Sequence, residues 1–265
     1  MTNPANALLI EEHPSRHNIL GVGVSAINMQ DALTIINGWV ERREPNYVCV
    51  TPAHAVMDCQ RDVNVRRVYN QAGMVTPDGM AIVWLLKLAG FSNVSRVYGP
   101  DLLREVCAES LKHGWRHYFF GGAPQVTREL VARLQRDYPG LQVAGWDSPA
   151  FENFAAEEQA ALTRMAEARA DLIWVALGSP RQEVWMAQNL HQIGCVMVGV
   201  GAAFDFLSGF KSQAPRWMQK AGLEWLFRLF SEPRRLWRRY FLYPHFIILV
   251  FLQRLGLKNY SIDSD

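Results

Sequence analysis

Five short stretches of the 265-residue chain set polar side chains or paired glycines at the ends of apolar runs, where small-molecule chemistry can be done. They are Thr51 after "YVCV", Asp78 in "TPDG", Gly121 and Gly122 in "FFGGAP", Gln182 in "GSPRQE" and Asp205 in "GAAFDF". A carboxylate between a strand and a helix start, as at Asp78, can face a cleft and take a proton from a hydroxyl; the same position also suits a helix cap or a turn. Thr51 is either a pocket hydroxyl or the turn residue ahead of Pro52. Ser179-Pro180-Arg181-Gln182 has capping-box spacing with proline at the first helical position, so Gln182 is either a cap or a cleft amide. The glycine pair lets phosphate oxygens approach the backbone or makes a plain tight turn, and it lacks the full GxGxxG pattern.

Other chemistries are poorly supplied. His113 and His117 have the i,i+4 spacing of helical ligands, but Gly114 interrupts them and no third ligand follows, so neither a metal nor a cofactor is expected. There is no GxSxG nucleophile elbow. The four cysteines are scattered without metal or redox spacing, and the amino terminus has no signal-like pattern, which points to a reducing cytoplasm.

The elements that must position these residues alternate. Short β-rich runs at YVCVT (47–51), MVT (74–76), RVY (96–98), HYFFGG (117–122), LQVAGW (141–146) and LIWVALG (172–178) are each followed by a helical pattern, one of them over 155–170, and CVMVGVG (195–201) closes the series. Several runs are apolar on both faces, as buried parallel strands must be. The expectation is an α/β fold, a doubly wound, mostly parallel Rossmann-like sheet, with ligands at the carboxyl ends of its strands. ILGVGVSAI (19–27) adds a strand and residues 29–43 a helix; residues 1–16 look loosely ordered.

After Phe204 the alternation stops. Residues 1–208 are taken as the α/β catalytic domain and 209–265 as a helical, basic and aromatic appendage. From Lys211 onward there are ten Lys/Arg against four acids, although the whole chain carries a formal charge of only +2. Trp217, Trp225, Phe227, Phe230, Trp237, Tyr240 and Phe241 alternate with arginines, a composition suited to an anionic membrane surface. No apolar run reaches the roughly 20 residues a bilayer span needs, the longest being broken by Pro244 and His245. A basic aromatic tail also suits nucleic acid, and the α/β pattern also suits a non-catalytic nucleotide-binding regulatory or interaction module; a membrane-facing enzyme is preferred to both.

Taken in order, "TPDGMAIVW" (76–84), "VYGPDLL" (97–103), "FFGGAP" (119–124), "YPGLQVAGW" (138–146), "GSPRQEVWM" (178–186), "GVGAAFDFLSG" (199–209) and "APRWMQKAGLEWLFRLFSEPRRLWRRY" (214–240) resemble the WecG/TagA/CpsF family of bacterial glycosyltransferases, over nearly all of residues 47–240. The resemblance implies an inverting, metal-independent transfer of an N-acetylmannosamine-type or related sugar from a UDP-sugar to a polyprenyl-diphosphate-linked saccharide in surface polysaccharide assembly. The enzyme would sit peripherally on the inner face of the cell membrane, and self-association stays open. By this likeness Asp78 matches the catalytic base, Thr51 the hydroxyl near it and Gln182 a pocket amide. Donor and phosphate binding would fall to Gly121, Gly122, Asp101, Gly178 and Asp205, with Arg216, Arg228, Arg234 and Arg238 meeting the diphosphate. Two positions depart: Ala53, followed by His54, stands where the family often has asparagine, and Gln213 where an arginine often precedes "AP".

Overall fold

The computed structural model describes residues 14–150, 154–240 and 242–262. The described chain opens with an antiparallel hairpin of β1 (Arg16–Ile19) and β2 (Val22–Ser25). There follow α1 (Met29–Arg42), β3 (Asn46–Thr51), α2 (Ala53–Arg61), α3 (Val63–Gln71), β4 (Met74–Pro77), α4 (Met80–Leu88) and α5 (Gly99–His113). Next come β5 (Arg116–Gly121), α6 (Pro124–Asp137), β6 (Gln142–Asp147), α7 (Phe154–Ala168), β7 (Leu172–Ala176), α8 (Arg181–Ile193), β8 (Val196–Gly199) and α9 (Ala203–Leu207). The described remainder is helical: α10 (Arg216–Lys220), α11 (Glu224–Ser231), α12 (Pro233–Tyr240) and α13 (Tyr243–Arg254).

Strands β3 to β8 form one parallel sheet in the order β4-β3-β8-β7-β5-β6. The chain leaves β4 at one edge and re-enters at β5 beyond β7, which opens a crevice at the carboxyl ends of the central strands. Strand pleating explains why both faces are covered. Tyr47 and Cys49 of β3, Tyr118 and Phe120 of β5, and Ile173 and Val175 of β7 feed one apolar cluster. Their neighbours Val48, Val50, Phe119, Leu172 and Trp174 feed the other. The doubly wound Rossmann-like expectation is met.

Local details differ from the sequence expectation in four places. ILGVGVSAI contains the turn of the β1–β2 hairpin instead of forming one strand, so the hairpin stands apart from the parallel sheet. The helix expected after Thr51 divides in two, because the Asp62 side chain accepts from the Asn64 and Val65 N–H groups and caps a new helix, α3. RVY is not a strand: Val97 N–H bonds the Pro77 carbonyl at 3.0 Å, and the chain then turns directly into α5. Finally, α8 starts at Arg181, with Pro180 at the cap position and no capping side chain, so the capping-box reading fails. The expectation for residues 1–16 falls largely outside the described residues.

The helices after Leu207 are tied back by different means. Phe246, Leu249 and Val250 of α13 join the apolar cluster beside α2, and the Gln253 side chain accepts from Leu20 N–H at 3.0 Å. By contrast, none of the eight residues of α11 is buried. Its neighbourhood is fixed by ion pairs: Arg96 with Glu224 at 2.7 Å, Arg216 with Asp101 at 2.8 Å, and Lys211 with both Asp205 at 3.2 Å and Glu232 at 3.3 Å.

Candidate active site

A cleft of about 630 Å³ opens along the carboxyl ends of β3, β4, β5, β7 and β8. Pro52, Asp78, Gly121, Gly178, Gln182 and Asp205 all line it, although they come from widely separated parts of the sequence. The cleft also takes in Arg228, from α11. Parallel strands all deliver their following loops to the same edge, so this convergence is a property of the topology.

Asp78 follows β4 directly. Its N–H donates to the Thr51 carbonyl at 3.4 Å, and its side chain is 15% exposed. Gly79 occupies the cap position of α4 without a side-chain cap, so the Asp78 carboxylate is not spent on capping. It pairs with the Arg96 guanidinium at 3.1 Å, and Arg96 Nε also donates to the Asp78 carbonyl. The same guanidinium holds Glu224 of α11 at 2.7 Å and lies over the Tyr98 ring, 3.9 Å from its centroid. Burial raises the Asp78 carboxyl above its ordinary range; Arg96 and Arg228 oppose this and Glu224 adds to it. A carboxylate of raised proton affinity, partly open to a cleft, is equipped to accept a proton.

Gln182 stands on the first turn of α8 and is only 3% exposed. Its Nε2 donates to Glu183 Oε1 at 2.9 Å. Glu183 is fully buried, and burial pushes its carboxyl up to about 6, against the Gln182 amide and the Ser179 and Tyr69 hydroxyls, which favour the charge.

The glycines line the cleft through backbone geometry. Gly121 and Gly122 have φ of +99° and +69°, and a Cβ on Gly121 would fall 2.6 Å from the Ala176 carbonyl oxygen. Gly122 N–H is committed to that same carbonyl at 2.9 Å, so the pair offers close approach rather than a free donor. Above this loop the Arg181 guanidinium lies 3.8 Å from the Phe154 ring centroid, with both side chains on the cleft wall.

Four residues expected in the site, Thr51, Asp101, Arg216 and Arg234, lie outside the cleft lining. Thr51 is buried, and its hydroxyl donates to the Cys49 carbonyl at 2.9 Å, so it reaches Asp78 only through its own backbone oxygen. Asp101 sits outside the cleft lining in a two-oxygen pair with Arg216, at 2.8 and 3.2 Å, which removes both side chains from the candidate phosphate site. Arg234 is exposed and does not line the cleft; the side chain of Arg238 lies outside the described residues. Asp205 and Arg228 do line it, Asp205 paired with Lys211. His117, one of the spaced histidines, is sealed between Ser110 at 2.8 Å and the Trp174 indole N–H at 2.9 Å, and burial lowers its pKa to about 4. Among the described residues no group of three or more His, Cys, Asp or Glu side chains is arranged to hold a metal ion.

Sequence reasoning missed Arg96, Glu183 and Glu224. Arg96 was hidden by reading RVY as a strand; a lone arginine three residues before a helix that begins Gly-Pro was the available signal. Glu183 was visible only as an acid following a glutamine. Glu224 sits in a basic tract and carried no sign of its partner.

These features define a Rossmann-like α/β protein with a polar, glycine-lined cleft at the carboxyl edge of its sheet, the place where such folds bind nucleotides and their conjugates. The chain belongs to the glycosyl transferase WecG/TagA/CpsF family, whose model matches residues 17–260, a wider span than the motifs alone mark out. It is 28% identical over 213 residues to a Bacillus spizizenii protein named N-acetylglucosaminyldiphosphoundecaprenol N-acetyl-beta-D-mannosaminyltransferase, covering 80% of this chain and 81% of that one. A Bacillus subtilis strain 168 protein of the same name is 28% identical over 194 residues, covering 73% of this chain and 74% of its own length.

Proposed function

We propose that this chain is an inverting glycosyltransferase that moves an N-acetylmannosamine-type sugar or related hexose from a UDP-sugar to a polyprenyl-diphosphate-linked saccharide. The observation that carries the reading is the Asp78 carboxylate, raised in proton affinity and held by Arg96 at the rim of the cleft. Asp78 takes the proton from an acceptor hydroxyl as that oxygen bonds to the anomeric carbon of the donor sugar. The bond from that carbon to the diphosphate oxygen breaks on the opposite face, so one displacement inverts the centre and releases UDP. Arg228, an appendage arginine that lines the cleft wall, meets the negative charge of the leaving diphosphate. Thr51 supports Asp78 through its backbone carbonyl, and Gln182 contacts the sugar.

The lipid-linked acceptor of the relatives gives the appendage its task. No helix of the described residues is long and apolar enough to cross a membrane. Trp217, Phe230, Trp237, Ile247 and Phe251 are all more than half exposed, and Arg234, Arg254 and Lys258 are exposed among or after them. Aromatic and aliphatic groups interspersed with cations favour the headgroup region of an anionic bilayer, each basic residue contributing about 1 kcal/mol near such a surface.

The test offers the full-length protein a set of UDP-sugars with a polyprenyl-diphosphate-linked N-acetylhexosamine, with and without a chelator. Transfer with inverted anomeric configuration that survives the chelator is expected; no transfer from any UDP-sugar overturns the reading, and a strict divalent requirement overturns its metal-free form. In a parallel arm, the protein should sediment with anionic vesicles and lose this when Phe230 and Trp237 are both changed to serine. Undiminished sedimentation would remove the membrane role from that face.

A further inference from the structure

Gln182 is a cleft residue whose two amide ends are chemically opposite, and the structure fixes which end faces where. Its Nε2 donates to Glu183 Oε1 at 2.9 Å. Its Oε1 is buried and has no hydrogen-bond partner among the described residues. The neighbouring backbone leaves room for this amide: a Cβ on Gly199 would fall 3.0 Å from Nε2, and one on Gly201 would fall 3.3 Å from Oε1. Glu183, with no exposed surface, sits behind Gln182 with the Ser179 and Tyr69 hydroxyls beside its carboxylate. An ionised carboxylate can only accept, so Gln182 turns its NH₂ to Glu183 and leaves its buried oxygen unpartnered beside Gly201, a residue of the cleft wall.

We infer that Glu183 is a positioning residue that locks the Gln182 amide so that its oxygen accepts a hydrogen bond from an N–H or O–H group of the transferred sugar. A phosphate oxygen, which has no proton to give at neutral pH, does not suit that oxygen. The sheet order agrees. Asp78 ends β4 at one side, Gly121 and Gly122 end β5 on the other, and Gln182 lies beside the end of β8 between them. With the acceptor hydroxyl at Asp78 and the nucleotide toward the glycines, the sugar lies in the middle. This inference deepens the glycosyltransferase reading and rests on it for the identity of the ligand; the orientation of the amide does not. A buried, unsatisfied carbonyl oxygen is costly to leave unpaired, so a ligand that supplies its missing donor gains from doing so.

The experiment has two arms on the full-length chain. In the first, glutamine side-chain amides are labelled with ¹⁵N and the Gln182 pair is assigned by its disappearance in Gln182→Asn. One proton of the pair should be shifted downfield and protected from exchange in the wild type, and Glu183→Gln should abolish both effects. A Gln182 pair that exchanges freely in the wild type overturns the inference, whether or not the protein transfers sugar. In the second arm, calorimetry compares binding of UDP and of the UDP-sugar that the enzyme uses. Glu183→Gln, which can present either amide end to Gln182, should weaken UDP-sugar binding about tenfold while leaving UDP within about twofold. Equal weakening of both ligands would make Glu183 merely structural, and unchanged UDP-sugar binding would overturn the inference. Failure of the wild type to bind any UDP-sugar counts against the glycosyltransferase reading and with it the assignment of the ligand, while the first arm still decides the lock.

Discussion

Burial raises the proton affinity of two acids, Asp78 in the cleft wall and Glu183 behind it, and they are built in opposite ways. Asp78 keeps 15% of its side chain exposed, sits at the rim and is paired with a cation, Arg96. Glu183 has no exposure; one of its carboxylate oxygens accepts from the uncharged Gln182 amide, and Oε2 has no hydrogen-bond partner among the described residues. A base must exchange protons with a substrate, so it needs an opening and a partner that can stabilise its charge between turnovers. A residue that only orients another needs neither and gains from being sealed in. One environment suits chemistry and the other suits geometry, although the side chains differ by a single methylene.

The largest expected effect comes from removing the proton acceptor. Asp78→Asn keeps the shape but cannot take a proton, and should lower kcat for sugar transfer by about 10²- to 10⁴-fold with UDP binding unchanged. If the Asp78→Asn variant transfers sugar at the wild-type rate, the contrast between the two acids loses its catalytic half. Next in size is the pair that holds Asp78. Arg96→Gln removes a charge-assisted bond and should cost about tenfold to a hundredfold in kcat/KM. It should also move the acid limb of the pH profile upward, because Arg96 is what opposes the burial of Asp78. Glu224→Gln removes a negative neighbour that pushes Asp78 up, so it should move the same limb downward with a smaller loss. Shifts of the same sign in both variants would show that Asp78 is not the group being titrated. The Glu224 variant is also informative because that residue belongs to α11, beyond the boundary placed near Ser208. A shifted pH profile would mean that α11 tunes the proton affinity of Asp78.

The two acids differ as much in how readable they were. Asp78 could be found because strand period, turn chemistry and family motif all converge on it. The parallel sheet was legible for the same reason, since buried strands apolar on both faces leave an unmistakable pattern. Thr51 shows where this stops. Its place at the strand end was right, but strand pleating turned its hydroxyl inward to Cys49, and a one-residue difference in which side chain meets the cleft is not written in composition. Asp101 and Arg216 were each plausible phosphate-site residues when read singly, and each is consumed by the other across 115 positions of sequence. Arg96 and Glu224 escaped notice for the converse reason: an ion pair between distant segments has no local signature. Glu183 illustrates a third case, in which the residue was quoted inside a motif but its burial, which gives it meaning, came only from the packing of α8 on the sheet.

The smallest effect separates the two acids by stability instead of rate. Glu183 titrates near 4.5 when unfolded and near 6 when folded, so the folded protein binds the extra proton and is favoured as pH falls through that interval. Above it, the ionised buried carboxylate costs about 2 kcal/mol, the equivalent of that upward displacement. Glu183→Gln carries no such penalty. Its melting temperature should therefore exceed that of the wild type by roughly 5 °C at pH 8, and the gap should close as the pH approaches 5. Measured together with the UDP-sugar affinities, this would give a variant that is more stable yet binds its sugar less well, which is the signature of a charge kept in the core for orientation. If the wild type is the more stable of the two at pH 8, the Glu183 carboxylate is held by its neighbours more strongly than burial opposes it, and its cost cannot be the reason the position is sealed.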